Sequence, residues 1–245
     1  MILKKLFDFF ISMIALIILC PVLLIFMSIV FLQDGASPIY KAPRVGKDGK
    51  IFTMIKLRSM VKNADKNKVD STSSDDDRIT AVGKVIRKYK LDELMQLWNV
   101  LIGDMSLVGP RPNVERDVRI YSKEEREILS VKPGITDFSS IVFSDEGDIL
   151  KGSNDPDLKY NQLIRPWKSR LCLLYIKKRN FILDLKLIFW TAIAIVSKTQ
   201  ALGYINSELK NISAEQKLIK VCKREKELRP FPPPGFDKAI QTREI

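Results

Sequence analysis

The 245-residue chain contains no histidine and only three cysteines. Without histidine it lacks the usual proton carrier at neutral pH and the commonest side-chain ligand of transition metals. Cys20, Cys172 and Cys222 lie too far apart in sequence for a zinc site and supply no disulfide framework, which fits a reducing, cytoplasm-facing environment. Internal repeats are missing as well. Negative charge is in short supply, because 29 Asp and Glu against 41 Lys and Arg leave a formal charge of +12. Such a molecule is drawn to anionic partners such as phosphates, nucleic acid or acidic lipid, and the balance alone does not choose among them. Apolar residues are plentiful at 46%, enough for a real core, and the length indicates one domain with attachments.

The strongest physical signal is LFDFFISMIALIILCPVLLIFMSIVFL, residues 6–32, whose only charge is Asp8. It exceeds the roughly 20 apolar residues that a helix needs to cross a bilayer. Lys4 and Lys5 could open a cleaved leader, but the run is too long and no convincing small-residue cleavage site follows. Pro21 sits near the middle, where it removes a backbone donor and crowds the carbonyl four residues back. Basic residues flank both ends: Lys4 and Lys5 before, Lys41, Arg44, Lys47 and Lys50 after. The positive-inside rule asks for both flanks on the cytoplasmic side. A helix broken at Cys20 and Pro21 that turns back satisfies both signals, and a kinked single span is the alternative.

Beyond this segment, turn signals at Ser37-Pro38 and Asp48-Gly49 bracket β-forming pieces and predict a short hairpin over residues 37–60. Residues 62–77, KNADKNKVDSTSSDDD, read as an exposed loop. Apolar positions Val82, Val85, Ile86 and Tyr89, then Leu94, Leu97, Trp98 and Leu101, recur with a helical period. Asn113 to Val131 reads as a charged helix stopped by Lys132-Pro133-Gly134. FILDLKLIFWTAIAIVS, residues 181–197, is short for a span and carries Asp184 and Lys186, so it reads as an interfacial or core helix. The charged tail from Asn206 contains ELRPFPPPGF and reads as extended there. Trp98, Trp167 and Trp190 read as core or interfacial aromatics.

Within KLDELMQLWNVLIGDMSLVGPRP, residues 90–112, Asp92 and Glu93 fall near the start of a helix. Two carboxylates there could simply favour the positive end of the helix dipole. Their company points further: Arg87 lies five positions upstream, and Arg111 is held between two prolines, a stiff presentation suited to bidentate phosphate recognition. A carboxylate among phosphate groups invites Mg2+, a hard cation held by one or two carboxylates plus substrate oxygens. Metal-assisted phosphoryl chemistry fits this set, with Asp92 the candidate ligand, and it needs no histidine.

These residues resemble the bacterial sugar transferase family of monotopic phosphoglycosyl transferases. The resemblance runs from about Lys4 to about Lys198. It is carried by KKLFDFF with its proline-interrupted run, RVGKDGKIFTMIKLRSM, DDRITAVGKVIRKYKLDELMQLWNVLIGDMSLVGPRP and VKPGIT. The resemblance implies a mixed α/β, mostly helical fold: a re-entrant helix-break-helix membrane segment at 1–36 and a small cytoplasmic catalytic domain with interfacial amphipathic helices at 37–205; the charged, proline-containing residues 206–245 read as a tail. It places a catalytic dyad on Asp92 and Glu93 and phosphate-contacting arginines on Arg87 and Arg111. The implied reaction moves a phosphosugar from a UDP-sugar to undecaprenyl phosphate, with release of UMP. Asp92 would be the covalent nucleophile, Mg2+ the cofactor and the bacterial inner membrane, cytoplasmic face, the location; the product would begin lipopolysaccharide, capsule or exopolysaccharide synthesis. Membrane lipid is then a partner, and a homodimer is one assembly state that the sequence leaves open.

The chain departs from the common pattern at Cys20-Pro21, Ser37-Pro38, Ala42, Met95 and Asp137, none of which touches the dyad or the arginines. Residues 137–170 fit least well, which assigns sugar choice to them. Two other readings stay open. Asp75, Asp76 and Asp77 contain the Asp-x-Asp of many metal-dependent glycosyltransferases, although a solvated charge run explains so short a motif more simply. A membrane-tethered nucleic-acid-binding protein would also use the basic excess. No aromatic-basic RNA motif or strong helix-turn-helix pattern supports it, and headgroup-facing lysines account for the charge, so no nucleic acid is expected. GKDGKI, residues 46–51, lacks the spacing and hydroxyl of a phosphate loop.

Overall fold

A computed structural model describes residues 2–67 and 69–242, so Lys68 of the expected polar loop and residues 243–245 of the tail lie outside the described residues. The apolar run forms α1, Ile2–Asp34, the one described helix long and apolar enough to cross a membrane. The interruption expected at Cys20 and Pro21 is not a loss of helix: α1 runs through Pro21. Proline costs this helix one hydrogen bond to the carbonyl of Ile17, and the apolar residues on both sides keep their own. Buried positions Asp8, Ser12, Leu23 and Val30, with half-buried Leu16, Leu19 and Met27 between them, form one stripe along the body. Most of the remaining surface between Phe9 and Leu32 is apolar and exposed.

Polar contacts fix both ends of α1. Lys4 pairs with Asp184 at 2.6 Å and donates to the Val108 carbonyl, while Asp8 accepts from the Ser106 hydroxyl at 2.6 Å. The lone charge of the apolar run is therefore matched by the body. At the other end, both Nη groups of Arg58 hold the Asp34 carboxylate at 2.6 Å. Arg58 also donates to the carbonyls of Val30, Ala36 and Ser37, capping the end of the helix where backbone acceptors run out.

The expected hairpin is present as β1, Ile39–Val45, antiparallel to β2, Ile51–Leu57, with Ala42 opposite Met54 in the core. Next come α2, Ala81–Lys88, then α3, Leu91–Leu94, and α4, Gln96–Leu101, close to the sequence expectation. Thr80 caps α2 by accepting from the Gly83 amide. Gly83 lies against Ser59, where a Cβ would stand 1.8 Å from the Ser59 carbonyl oxygen, so only glycine allows this approach. Asn99, fully buried on α4, accepts from the Ile55 amide and donates to the Thr53 carbonyl. One side chain thus locks the helix following the dyad to β2.

Two three-residue strands, β3 at Ser106–Val108 and β4 at Gly134–Thr136, pair in parallel. Gly134 is not a helix stop, as its sequence suggests, but a close-contact point: a Cβ there would fall 2.0 Å from the Gly109 nitrogen. The long charged helix expected over 113–131 is replaced by α5, Glu115–Arg119, and a 3-10 segment, Glu125–Ser130. Tyr121 and Glu125 turn inward here, because Glu125 has a buried partner in Arg165, and a continuous amphipathic helix would not carry both inside.

The remainder is helical: α6 Phe138–Val142, α7 Glu146–Leu150, α8 Pro156–Leu163, α9 Arg165–Lys178, α10 Phe181–Val196, α11 Lys198–Asn211 and α12 Gln216–Cys222. Phe138, Leu171, Leu187 and Ile205, from four of these helices, are fully buried together. Burial of such side chains is worth about 1.5–3 kcal/mol each. Asp137, a departure from the family pattern, caps α6 by accepting from the Ser140 amide. The tail is not free: Leu209, Leu218 and Cys222 join the core, and Phe231 stacks on Trp167 at 4.5 Å. Its proline-rich part, which forms neither helix nor strand, is held by Arg170 and Ser122 donating to the carbonyls of Pro232 and Pro234. Trp167 and Trp190 are buried and Trp98 is exposed.

Candidate active site

A cavity of about 1070 Å³ lies between the hairpin, α2, α3, the turn after β3, and α10, and it is lined by all four residues singled out in the sequence: Arg87, Asp92, Glu93 and Arg111. Lys90, in a left-handed conformation at φ 57°, turns the chain between α2 and the dyad. Pro110 and Pro112 bracket Arg111, and the Pro110 carbonyl accepts from the Gly134 amide, which fixes that turn to β4.

The two carboxylates have different environments. Glu93 is bound by Arg111 at 2.8 Å. Burial opposes its ionisation, but the guanidinium charge, with Lys56 and Lys90, outweighs it and holds the carboxyl at about 2. Asp92, 8% exposed, has Lys56 Nζ 3.8 Å away and no closer partner among the described residues. Burial pushes its carboxyl up, against the pull of Lys56. Glu93 is thus a committed ion-pair partner and Asp92 the open carboxylate.

Arg87 donates through Nε to the Ser59 hydroxyl at 2.9 Å, and its two Nη groups make no hydrogen bond among the described residues. A guanidinium anchored on one edge and open on the other is a ready fork for phosphate oxygens. Further cations that sequence reasoning missed line the cavity, Lys56 and Arg44 among them. Lys56 on β2 is lowered to about 8 by burial and by Arg111, partly offset by Asp92. Arg44 on β1 is also lowered, chiefly by burial. Neither has a local signal, because only the pairing of α3 with the hairpin brings position 56 to position 92. Glu146 and Lys168, paired across α7 and α9, form another part of the wall together with Tyr160, all within the segment assigned to sugar choice.

The acidic run has other employment. Asp76 holds Arg78 through both oxygens, and Asp75 accepts from the Gly152 amide. None of Asp75, Asp76 and Asp77 lines the cavity. Among the described residues no cluster of three or more acidic, cysteine or histidine side chains could hold a metal by itself. Mg2+ does not need one, since it keeps waters and takes phosphate oxygens. The open carboxylate of Asp92 fits that requirement, and the committed one of Glu93 does not.

A family model described as bacterial sugar transferase matches residues 1–198. The chain is 38% identical over 148 residues to an exopolysaccharide production protein, ExoY, of Sinorhizobium fredii, covering 54% of this chain and 66% of that protein. It is 36% identical over 214 residues to an undecaprenyl-phosphate galactose phosphotransferase of Salmonella typhimurium, covering 81% of this chain and 41% of the relative. An uncharacterized sugar transferase, EpsL, of Bacillus subtilis is 35% identical over 191 residues, 78% of this chain and 86% of its own length. The chain therefore spans about two fifths to two thirds of the length of the first two relatives.

Proposed function

The chain belongs to the bacterial sugar transferase family, and from that premise we propose that it transfers a phosphosugar from a UDP-sugar to undecaprenyl phosphate, as the initiating step of a surface glycan. The observation that carries the reading is an open, buried carboxylate in a cavity lined by Arg44, Lys56, Arg87 and Arg111. The name of the Salmonella relative, which states undecaprenyl phosphate and a sugar phosphotransferase, supports the acceptor.

In this mechanism an oxygen of Asp92 attacks the sugar-linked phosphorus of the donor. The bond from that phosphorus to the bridging oxygen breaks, and UMP leaves with the oxygen. A phosphate oxygen of the acceptor then attacks the same phosphorus, breaks the aspartyl-phosphate bond and restores Asp92. Arg87 binds the diphosphate with its free edge, while Arg111, oriented by Glu93, places its charge beside the reacting group. When bound, Mg2+ on Asp92 would supply further charge neutralisation. Product analysis on the purified protein tests the reaction: UMP supports it, whereas UDP would hand the assignment to ordinary glycosyl transfer.

Lys56 keeps the cation facing Asp92, alongside Arg44 from β1, Glu93 from α3 and Arg111 from its turn. Its pKa lies below the ordinary lysine value of 10.5, so its proton is lost as pH rises through about 8 and the counter-charge at Asp92 goes with it. Turnover should accordingly fall above pH 8. Lys56→Arg should move that limb upward, since a guanidinium keeps its proton. A pH profile of kcat on both proteins decides this, and an identical limb in the arginine variant would sink the role.

The same reading keeps both ends of α1 on the cytoplasmic side and makes the body monotopic, which for a helix unbroken at Pro21 requires a bend and not the expected break. A straight 33-residue helix is about 50 Å long and would carry its ends to opposite sides of a bilayer. Here Lys4 and Asp34 are both tied to one small body, which supports a common side. Exposed Ile182, Leu185 and Phe189 on α10, Trp98 on α4 and Ile102 just after it supply interfacial apolar surface. Cysteines introduced at Leu3 and Ser37, in a protein whose native cysteines are replaced, should both be labelled only from the cytoplasmic side. Labelling of one from each side would establish a span instead.

A further inference from the structure

One wall of the cavity comes from the junction of α10 and α11 and not from the hairpin and α2 that carry Arg44, Lys56 and Arg87. Thr191, Ala194 and Ile195, near the C-terminal end of α10, line it together with Lys198 at the start of α11. Spacings of three and four residues put Thr191, Ala194 and Ile195 on one strip of α10. The adjoining strip, with Leu185, Phe189 and Val196, is apolar and exposed. The two strips meet at Ile195 and Val196, which are 51% and 90% exposed, so the polar cavity opens there directly onto the apolar outer face.

At this rim, one carboxylate oxygen serves two cations. Asp145 Oδ2 lies 2.6 Å from Lys198 Nζ and 3.1 Å from Arg224 Nη2. The trio carries a net charge of +1. Lys198 can turn toward another anion without leaving Asp145 unpaired, because Arg224 remains. With a single cation, that release would strand a partly buried carboxylate. Arg224 lies outside the family-matched residues 1–198, so this arrangement draws on the chain's own C-terminal segment.

We propose that this rim is the docking site for the phosphate end of the polyprenyl acceptor, with Lys198 binding the phosphomonoester and the hydrocarbon chain leaving over Ile195 and Val196. A phosphomonoester carries a charge of about −1.5 to −2 at neutral pH, which Lys198, turned from Asp145 at this apolar edge, complements. The site rests on the function proposed above and deepens it. The soluble donor enters among Arg44, Lys56 and Arg87, the lipid enters along α10, and the two meet at Asp92.

Binding of undecaprenyl phosphate and of undecaprenol to the full-length, detergent-solubilised protein tests the site without requiring turnover. Lys198→Ala should weaken undecaprenyl phosphate about 10-fold and leave undecaprenol within about twofold, since only the charge partner is lost. Ile195→Ser should weaken both lipids. Arg224→Ala should weaken the phosphate lipid as well, because Asp145 then retains Lys198. An unchanged Kd in Lys198→Ala, or an equal loss for both lipids, overturns the proposal. UMP release by wild-type protein, measured in parallel, reports on the proposed reaction independently: its absence counts against the reaction, and the binding data still decide the site.

Discussion

Asp92→Asn is expected to lower UMP release and lipid-linked product by at least about 10³-fold, roughly 4 kcal/mol in the barrier, with little change in fold. An amide fills the same volume and keeps the packing at the start of α3, but it cannot form a stable bond to phosphorus. The loss should appear in kcat more than in donor KM, because Arg87 and Arg111 remain to hold the diphosphate. Glu93→Gln makes an informative contrast. It removes the counter-charge of Arg111 and should misplace that arginine, raising donor KM along with a smaller fall in kcat. Trapping of a phosphosugar on the protein with radiolabelled donor, present in wild type and missing in Asp92→Asn, would identify the nucleophile. Retention of even a tenth of wild-type turnover by Asp92→Asn rules the covalent route out.

The second large effect is on stability. Arg165 is 2% exposed and Glu125 fully buried, with two hydrogen bonds between them at 3.0 and 2.6 Å. Asn161, the Ile120 carbonyl and the Ser169 hydroxyl complete the bonding. Arg165→Ala leaves the Glu125 charge in the interior without its counter-ion, which costs about 3–5 kcal/mol. For a chain of this size that corresponds to a fall in Tm of roughly 10 °C. The damage should reach the site, because Arg165 packs 5.2 Å from the Tyr121 ring and the Tyr121 hydroxyl accepts from Asn113, two residues from Arg111. Donor KM should therefore rise in parallel. Replacing both partners, Arg165→Met with Glu125→Leu, should recover much of the lost stability, since neither charge is then stranded. A thermal melt of the three proteins separates the cases: a double variant no better than Arg165→Ala would mean that packing, and not charge, governs this position.

Much of the architecture was legible because its signals are local. The apolar run declares α1 by composition, the turn residues at 37–38 and 48–49 declare the hairpin, and a period of 3.6 locates the helices around the dyad. The misreadings occurred where a side chain has a distant partner. Residues 113–131 look like one charged helix until Glu125 is matched to Arg165, forty positions on. Lys132-Pro133-Gly134 looks like a stop until Gly134 meets Gly109. The tail shows only charge and proline until Phe231 finds Trp167.

For the site, sequence by itself determined the types of group and their neighbours along the chain: two adjacent carboxylates, an arginine five positions before and a proline-clamped arginine after. Only the tertiary structure decided which carboxylate is free. Arg111 returns to Glu93 through the pairing of β3 with β4, and Lys56 reaches Asp92 through the attachment of α4 to β2 by Asn99. The physical reason is that ionisation responds to the nearest charge in space and to burial, and neither quantity is encoded in the spacing of residues along the chain.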